Sequence, residues 1–178
     1  MSTFVALLRG INVGGKNILP MKEFRALLTT LGCEDVATYI QSGNAVFTYT
    51  GNAAKLPELI ASAIESAFGF RPSLMVLAEN EFNAIAAANP FSAEVSELKY
   101  LHIWFVQGSL ANANTARLEE IAAVGERFLL ADSAFYLHAP NGIGRSKLAS
   151  EVEKCLGVPA TARNCRTVSR IGEMLGLN

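Results

Sequence analysis

The sequence predicts an α+β protein built from two ferredoxin-like halves (alpha-beta plaits), each with an antiparallel sheet. The order strand–helix–strand–strand–helix–strand occurs twice along the 178 residues, and this is the split βαβ plan. Apolar residues follow a helical period in the longer segments, and shorter segments such as Thr3–Leu8 are apolar runs that are typical of strands. The segment Gln41–Asn44 has turn chemistry at hairpin length between two apolar runs.

The elements of each half follow from these periods and from their flanking Pro and Gly residues. In the first half we predict strand Thr3–Arg9, a helix from Pro20 to Gly32, strands Val36–Ile40 and Ala45–Tyr49, a helix from Leu56 to Gly69 and strand Pro72–Leu77. In the second half we predict strand Tyr100–Val106, helix Thr115–Val124, strands Phe128–Ala131 and Phe135–His138, helix Ser146–Leu156, strand Ala160–Arg163 and a last helix carrying Val168, Ile171 and Leu175.

The repeated order also predicts the domain boundaries. Residues 1–78 are expected to form the first ferredoxin-like domain, and residues 79–98 a helix and linker. Residues 99–178 are expected to form the second ferredoxin-like domain, which carries an extra C-terminal helix.

Composition narrows the class of protein. Hydrophobic residues make up 51% of the chain, and charged residues make up 17%, below the roughly 25% that is usual for soluble proteins. A surface poor in charge is compatible with assembly into a homo-oligomer. The net charge of −1 argues against a general polyanion binder. Cations concentrate near the C-terminus, where residues 140–178 carry six basic and three acidic side chains.

The cysteines and the apolar runs predict the compartment. The three cysteines have no CxxC spacing, which favours a reducing environment over a disulfide scaffold or a zinc site. We therefore expect no metal and no cofactor. Arg9 interrupts the first apolar run, and no run approaches the roughly 18 residues of a membrane span. We expect a cytoplasmic protein without a membrane partner.

The first candidate site is the loop Gly10–Asn17, which reads GINVGGKN. It differs from the phosphate-binding pattern GxxxxGK(S/T) at Asn17, where that loop needs a hydroxyl for magnesium. The predicted antiparallel order also lacks the parallel sheet of nucleoside triphosphatases. Because the first two strands run parallel, this loop should converge with Gln41–Asn44, which makes Asn12, Lys16, Gln41 and Asn44 neighbours. The alternative is a structural loop that Asn12 and Asn17 hold together.

The second candidate site is Asn141–Lys147, which reads NGIGRSK. It leaves a strand and opens a helix that Ser146 is expected to cap. The third and fourth strands of the half end at one edge, so we expect Arg145, Lys147 and Arg163 to cluster there and to bind an anion. The alternative is a glycine-shaped turn with solvated basic side chains.

Aromatic residues on two neighbouring strands, the aromatic stripe, suggest a different kind of function. Strand alternation places Tyr100, His102 and Trp104 on one face, and Tyr136 and His138 on one face of a neighbouring strand. If both sets shared a face, they could stack RNA bases. The low charge offers few phosphate contacts, so we expect Trp104 and Tyr136 to share a face that protein buries.

Catalytic residues are hard to nominate. Neither histidine has a carboxylate or cysteine at motif spacing, and Cys33 and Cys155 are expected to be structural. Cys165 lies nearest the basic loops, which would lower its pKa. No acid–base pair is evident, so the sequence predicts no particular reaction.

Several sequence blocks carry a resemblance to a known family: LLRGINVGGKN (7–17), YIQSGNAVF (39–47), NPF (89–91), YLHAPNGIGRSKL (136–148) and PATARN (159–164). They look like the signature blocks of the domain of unknown function 1697 family of uncharacterised bacterial proteins. The resemblance spans almost the whole chain and implies two ferredoxin-like halves with no established activity. The chain departs from the family pattern at Cys165-Arg166, where an aromatic residue and then Asn are expected.

From these observations we expect the loops to bind a phosphate-bearing small molecule or nucleotide. A non-catalytic module that binds RNA or protein through the aromatic sheet face is the alternative. The predicted ligand-binding residues are Arg9, Asn12, Gly15, Lys16, Gln41, Asn44, Asn141, Gly144, Arg145, Ser146, Lys147, Arg163 and Asn164.

Overall fold

A computed structural model of the chain describes residues 1–176. Two compact units divide the chain. The first contains residues 1–83 and resumes at Arg170, and the second contains Ala84–Ser169. One boundary, between Asn83 and Ala84, falls within the segment 79–98 that the sequence marks as helix and linker, and the other lies between Ser169 and Arg170.

The first unit is a four-stranded antiparallel sheet with helices on one face. Its strand order is β2-β3-β1-β4, which is the ferredoxin-like arrangement that the sequence predicted. The elements are β1 (Ser2–Arg9), α1 (Met21–Thr30), β2 (Glu34–Tyr39), β3 (Asn44–Tyr49), α2 (Leu56–Phe68) and β4 (Ser73–Ala78), followed by α3 (Glu79–Ala87).

The core of the first unit lies between the sheet and its helices. Phe4, Ala6 and Leu8 of β1 alternate onto the face that packs against Phe24 of α1 and Ile60 of α2. Because residues two apart in a strand share a face, one register of β1 presents all three to the helices. β3 pairs antiparallel with both β1 and β2, so β1 and β2 run parallel and their C-terminal ends lie at the same edge.

The second unit repeats the plan, with strand order β6-β7-β5-β8 in a four-stranded antiparallel sheet. The predicted fold class is therefore confirmed in both halves. The elements are β5 (Leu101–Val106), α4 (Thr115–Ile121), β6 (Arg127–Leu130), β7 (Ala134–His138), α5 (Lys147–Leu156) and β8 (Ala160–Asn164), followed by α6 (Cys165–Met174). Residues of α6 from Arg170 onward are assigned to the first unit.

Helix α4 is shorter than the sequence predicted, since it ends at Ile121 and not at Val124. Ala122 turns to an extended conformation, and the carboxylate of Glu126 accepts a hydrogen bond from the backbone N–H of Ala123. This side-chain bond replaces the next helical turn and leaves Val124 at the tip of a loop.

The aromatic stripe does not form one face. In the pairing of β5 with β7, Trp104 lies opposite Phe135 and Ile103 lies opposite Tyr136. Directly opposed residues share a face, so Trp104 and Tyr136 lie on opposite faces and the prediction of a shared face is wrong. Both side chains are buried, as predicted, with 6% and 1% exposure.

The two aromatic residues also have different partners. The indole of Trp104 packs edge-on against the ring of Phe135 within the helix-side core. The hydroxyl of Tyr136 donates a hydrogen bond of 2.8 Å to the backbone carbonyl of Ile85. Neither ring offers an open surface on which a base could stack.

Among residues 1–176, no helix combines the length and the apolar character that crossing a membrane requires.

Candidate functional site

The loop between β1 and α1 contains an exposed tight turn. Val13 and Lys16 form an isolated antiparallel bridge, and the backbone N–H of Lys16 donates to the carbonyl of Val13. Gly14 and Gly15 lie between them with φ values of 57° and 74°. Consecutive residues at positive φ are the signature of a type I′ turn, which glycine adopts without strain.

Asparagine side chains hold this loop together, as the structural alternative had it. Nδ2 of Asn12 donates to the carbonyl of Leu19 at 2.9 Å and to that of Gln41 at 2.8 Å. Its Oδ1 accepts from the N–H of Leu19 at 2.8 Å. Nδ2 of Asn17 donates to the carbonyl of Gly10 at 2.9 Å. The fold itself therefore occupies the amide groups of Asn12 and Asn17.

The loop and the β2–β3 turn converge as expected, because one amide of Asn12 joins them. The side chain of Asn44 is buried and donates to the carbonyl of Tyr39 and to the hydroxyl of Ser42. Gln41, Lys16 and Arg9 are exposed. Of the four predicted neighbours, Asn12 and Asn44 thus support the backbone, and Gln41 and Lys16 lie at the surface.

Gly43 is required in the β2–β3 turn by close packing as well as by its φ of 75°. A Cβ at this position would lie 2.6 Å from Cβ of Leu8 and 2.8 Å from Cδ1 of Ile11. No side chain fits at these distances without a shift of β1 or of the loop.

The second loop leads into the N-terminus of α5, and Ser146 caps the helix as predicted. Ser146 is extended, with φ of −72° and ψ of 118°, and its Oγ accepts from the N–H of Ala149 at 2.9 Å. The loop is closed by a bond from the N–H of Gly142 to the carbonyl of Ala139 and by a bond from Ser146 to Ile143. The start of α5 is thus fixed by local hydrogen bonds.

Two basic side chains flank this helix start. Arg145 and Lys147 are exposed, and within residues 1–176 neither forms a salt bridge. A Cβ built on Gly142 or Gly144 meets no heavy atom within 4 Å, so the space beside the loop is open. Asn141 is exposed in the same loop. A phosphate group could approach this backbone without a steric obstacle.

Arg163 does not join this cluster, and the prediction that it would is wrong. In the pairing of β5 with β8, Arg163 lies opposite Ile103, and Ala162 lies opposite Trp104. Trp104 and Ala162 face the core that contains α5, so Arg163 points to the other face of the sheet. Its guanidinium is buried, and burial lowers its pKa to about 10.

Asn164 supports local structure at the end of β8. Its Nδ2 lies 2.8 Å from the carbonyl of Lys99 and 3.1 Å from Nε2 of His102. Its Oδ1 accepts from the N–H of Arg166, at the first turn of α6. His102 is buried, and desolvation lowers its pKa to about 4, so the imidazole is neutral near pH 7.

Cys165 is not an activated thiol. Burial raises its pKa to about 11, and a hydrogen bond from Nδ2 of Asn89 opposes this only in part. The prediction of a lowered pKa is therefore wrong, because the thiol lies inside the unit and not beside the exposed cations. Cys33 and Cys155 are also buried, with raised pKa values, as expected of structural cysteines.

A polar cavity in the second unit was missed at the sequence level. It has a volume of about 340 Å³ and is lined by Asn114, Arg117, Glu151, Lys154 and Cys155. Arg117 pairs with Glu151 across the space between α4 and α5 at 3.3 Å. The residues lie on separate helices, so only helix packing brings them together and no spacing in the sequence marks the cavity.

No group of three or more His, Cys, Asp or Glu side chains within residues 1–176 is arranged to hold a metal ion.

The comparisons with known proteins agree with the fold. A family profile described as a protein of unknown function, DUF1697, matches residues 1–136. Among solved structures, a conserved bacterial protein from Streptococcus pneumoniae is similar, with 29% sequence identity and a TM-score of 0.73 over 98% of each chain. None of the curated proteins matches the chain. Because the profile covers most of the sequence, and as the sequence blocks predicted, the protein belongs to the DUF1697 family.

Proposed function

We propose that the chain binds a phosphate-bearing small molecule or nucleotide at the N-terminus of α5. The observation that carries the proposal is the pair of exposed cations, Arg145 and Lys147, on either side of a capped helix start. Because neither is neutralised by a carboxylate within residues 1–176, both are available to an anion.

The backbone N–H groups at the start of α5 also favour an anion at this position. The first N–H groups of a helix have no acceptor within the helix, and Ser146 satisfies that of Ala149. The N–H groups of Lys147 and Leu148 are the first two of α5, and the helix dipole favours an anion in front of them. Charge-assisted hydrogen bonds from Arg145 would add roughly 1.5–3 kcal/mol each.

The other residues predicted in the second loop and at the end of β8 separate into two groups. Asn141 and Gly144 belong to the same loop as Arg145 and remain part of the proposed site. Arg163 and Asn164 do not, because one faces away and the other holds the start of α6. The alternative of an aromatic RNA-binding face gains no support from Trp104 and Tyr136, which are buried on opposite faces.

The test is calorimetric titration with inorganic phosphate, a sugar phosphate and a nucleotide at low salt. We expect at least one of these probes to bind, and Lys147→Gln to weaken its affinity by about tenfold. Lys154→Gln is the matched control, because Lys154 is an exposed lysine in the last turn of the same helix. An equal affinity in wild type and Lys147→Gln, or an equal loss in Lys154→Gln, would remove the site.

A further inference from the structure

Three large apolar side chains are exposed together at the end of the first unit. Val13, Ile18 and Ile40 are 68%, 53% and 50% exposed. The Nδ2 atom of Asn12 bonds to the carbonyls of Leu19 and Gln41, so the segments that carry Ile18 and Ile40 adjoin. Val13 follows Asn12 directly. We call these three side chains the apolar tip.

The backbone of the apolar tip is strained at Ile40. Ile40 has a φ of 48°, in the left-handed region that β-branched residues rarely adopt. An Asn or Gly would fit there with less strain, so ordinary turn chemistry does not explain an exposed isoleucine at this position. Backbone strain of this kind clusters at functional sites in proteins.

The two segments that carry the apolar tip contain no acidic residue. Lys16 lies on the turn itself and is exposed, and Lys22 is exposed at the start of α1, next to the exposed Glu23. Residues 1–22 contain no Asp or Glu, and residues 36–50 contain no charged residue. The tip therefore combines exposed apolar side chains with the cation of Lys16 and is complementary to an apolar surface that carries negative charge.

The size of the tip favours a lipid surface over a protein. A stable protein interface buries about 800 Å² on each partner, far more than three side chains provide. A bilayer accepts protruding apolar side chains without a matching groove, and its anionic headgroups attract Lys and Arg. Built Cβ atoms on Gly10, Gly14 and Gly15 meet nothing within 4 Å, so the turn is open to such a surface.

We propose that the apolar tip is a peripheral membrane contact. It inserts Val13, Ile18 and Ile40 among the headgroups of an anionic bilayer, and Lys16 contacts the lipid phosphates. The expectation of no membrane partner rested on the lack of a spanning segment, and a peripheral contact needs none. This contact is independent of the proposed ligand site on α5.

The test is sedimentation of the full chain with vesicles. We expect binding to vesicles of mixed phosphatidylcholine and phosphatidylglycerol, little binding to phosphatidylcholine alone, and weakening by salt. Ile40→Asn should reduce the partition coefficient about tenfold, because it removes an apolar side chain while relieving the backbone strain. Lys16→Gln should weaken binding and flatten the salt dependence. Millimolar inorganic phosphate should not displace the protein, which distinguishes a lipid surface from a free phosphate site.

Val124→Asn is the matched control, because this valine is 99% exposed outside the apolar tip and should leave binding unchanged. Equal partition of wild type and Ile40→Asn would overturn the proposal, as would an equal loss in Val124→Asn. Sedimentation velocity without lipid tests whether a second copy of the chain binds the tip instead. Self-association that Ile40→Asn abolishes, without vesicle binding by the wild type, would assign the tip to a second copy of the chain and overturn the lipid contact.

Discussion

Replacing Asn12 with alanine tests whether one side chain holds the Gly10–Asn17 loop. The change removes two hydrogen bonds donated by Nδ2 and one accepted by Oδ1, with lengths of 2.8–2.9 Å. The N–H of Leu19, a buried residue, also loses its acceptor. At about 1 kcal/mol for each bond, this amounts to about 3 kcal/mol.

Backbone strain adds to this loss. Asn12 has a φ of 54°, and alanine at a left-handed position costs about 1–2 kcal/mol more than glycine. We therefore expect Asn12→Ala to lower the free energy of unfolding by about 4–5 kcal/mol and Asn12→Gly by about 3 kcal/mol. The difference between the two variants separates strain from hydrogen bonding.

Urea unfolding followed by far-UV circular dichroism measures the effect. The single tryptophan, Trp104, lies in the second unit, so its fluorescence reports that unit separately. Asn112→Ala is the control, because Asn112 is exposed and such changes usually stay within about 0.5 kcal/mol. A loss below about 1 kcal/mol in Asn12→Ala, or equal losses in the Ala and Gly variants, would refute the reasoning.

Two further predictions concern stability. Gly43→Ala should lower the free energy of unfolding, measured in urea, by about 2–5 kcal/mol, because its Cβ would meet Leu8 and Ile11 at a positive φ. Gly14 has open space around it, so Gly14→Ala should lower the free energy of unfolding by only about 1–2 kcal/mol. Burial lowers the pKa of His102 from 6.5 to about 4, so the unfolded chain binds the proton more tightly. The free energy of unfolding should fall as the pH drops from about 6.5 towards 4, by at most about 3 kcal/mol. In His102→Gln the free energy of unfolding should depend less on pH over this range. A pH profile that is unchanged in His102→Gln, or equal costs for the two glycine variants, would contradict these expectations.

The elements of the fold were predictable because their signals are local. Helix periods, a Pro near the start of α1 and the Gln41–Asn44 turn each lie within one short segment. The orientation of side chains across neighbouring strands was not predictable in the same way. Alternation within β5 places His102 with Trp104, but the register against β7 decides whether Tyr136 joins them. Helix α4 and strand β6 separate these two strands in the chain, so no local turn fixes their register, and a shift of one residue exchanges the faces.

The same physical reason explains the outcome for Arg163. Its backbone lies at the predicted edge, since Asn164 pairs with His102 and His138 pairs with Leu101. The direction of β8 determines at which edge of the sheet Arg163 lies. The register of β8 against β5 determines to which face its side chain points. A prediction from topology can therefore bring strand ends together but cannot place their side chains.

The loops divide their polar residues between structure and surface in a way that composition does not show. Asn12, Asn44 and Asn164 resemble ligand-binding residues in the sequence, yet the backbone uses their amides because turns leave N–H and C=O groups that the sheet does not satisfy. Lys16 and Arg145 can donate to a carbonyl but cannot accept a hydrogen bond from an N–H group, and a cation is costly to bury. Such loops therefore keep their asparagines inward and their cations at the surface. A search for anion sites in this fold should begin with the exposed cations.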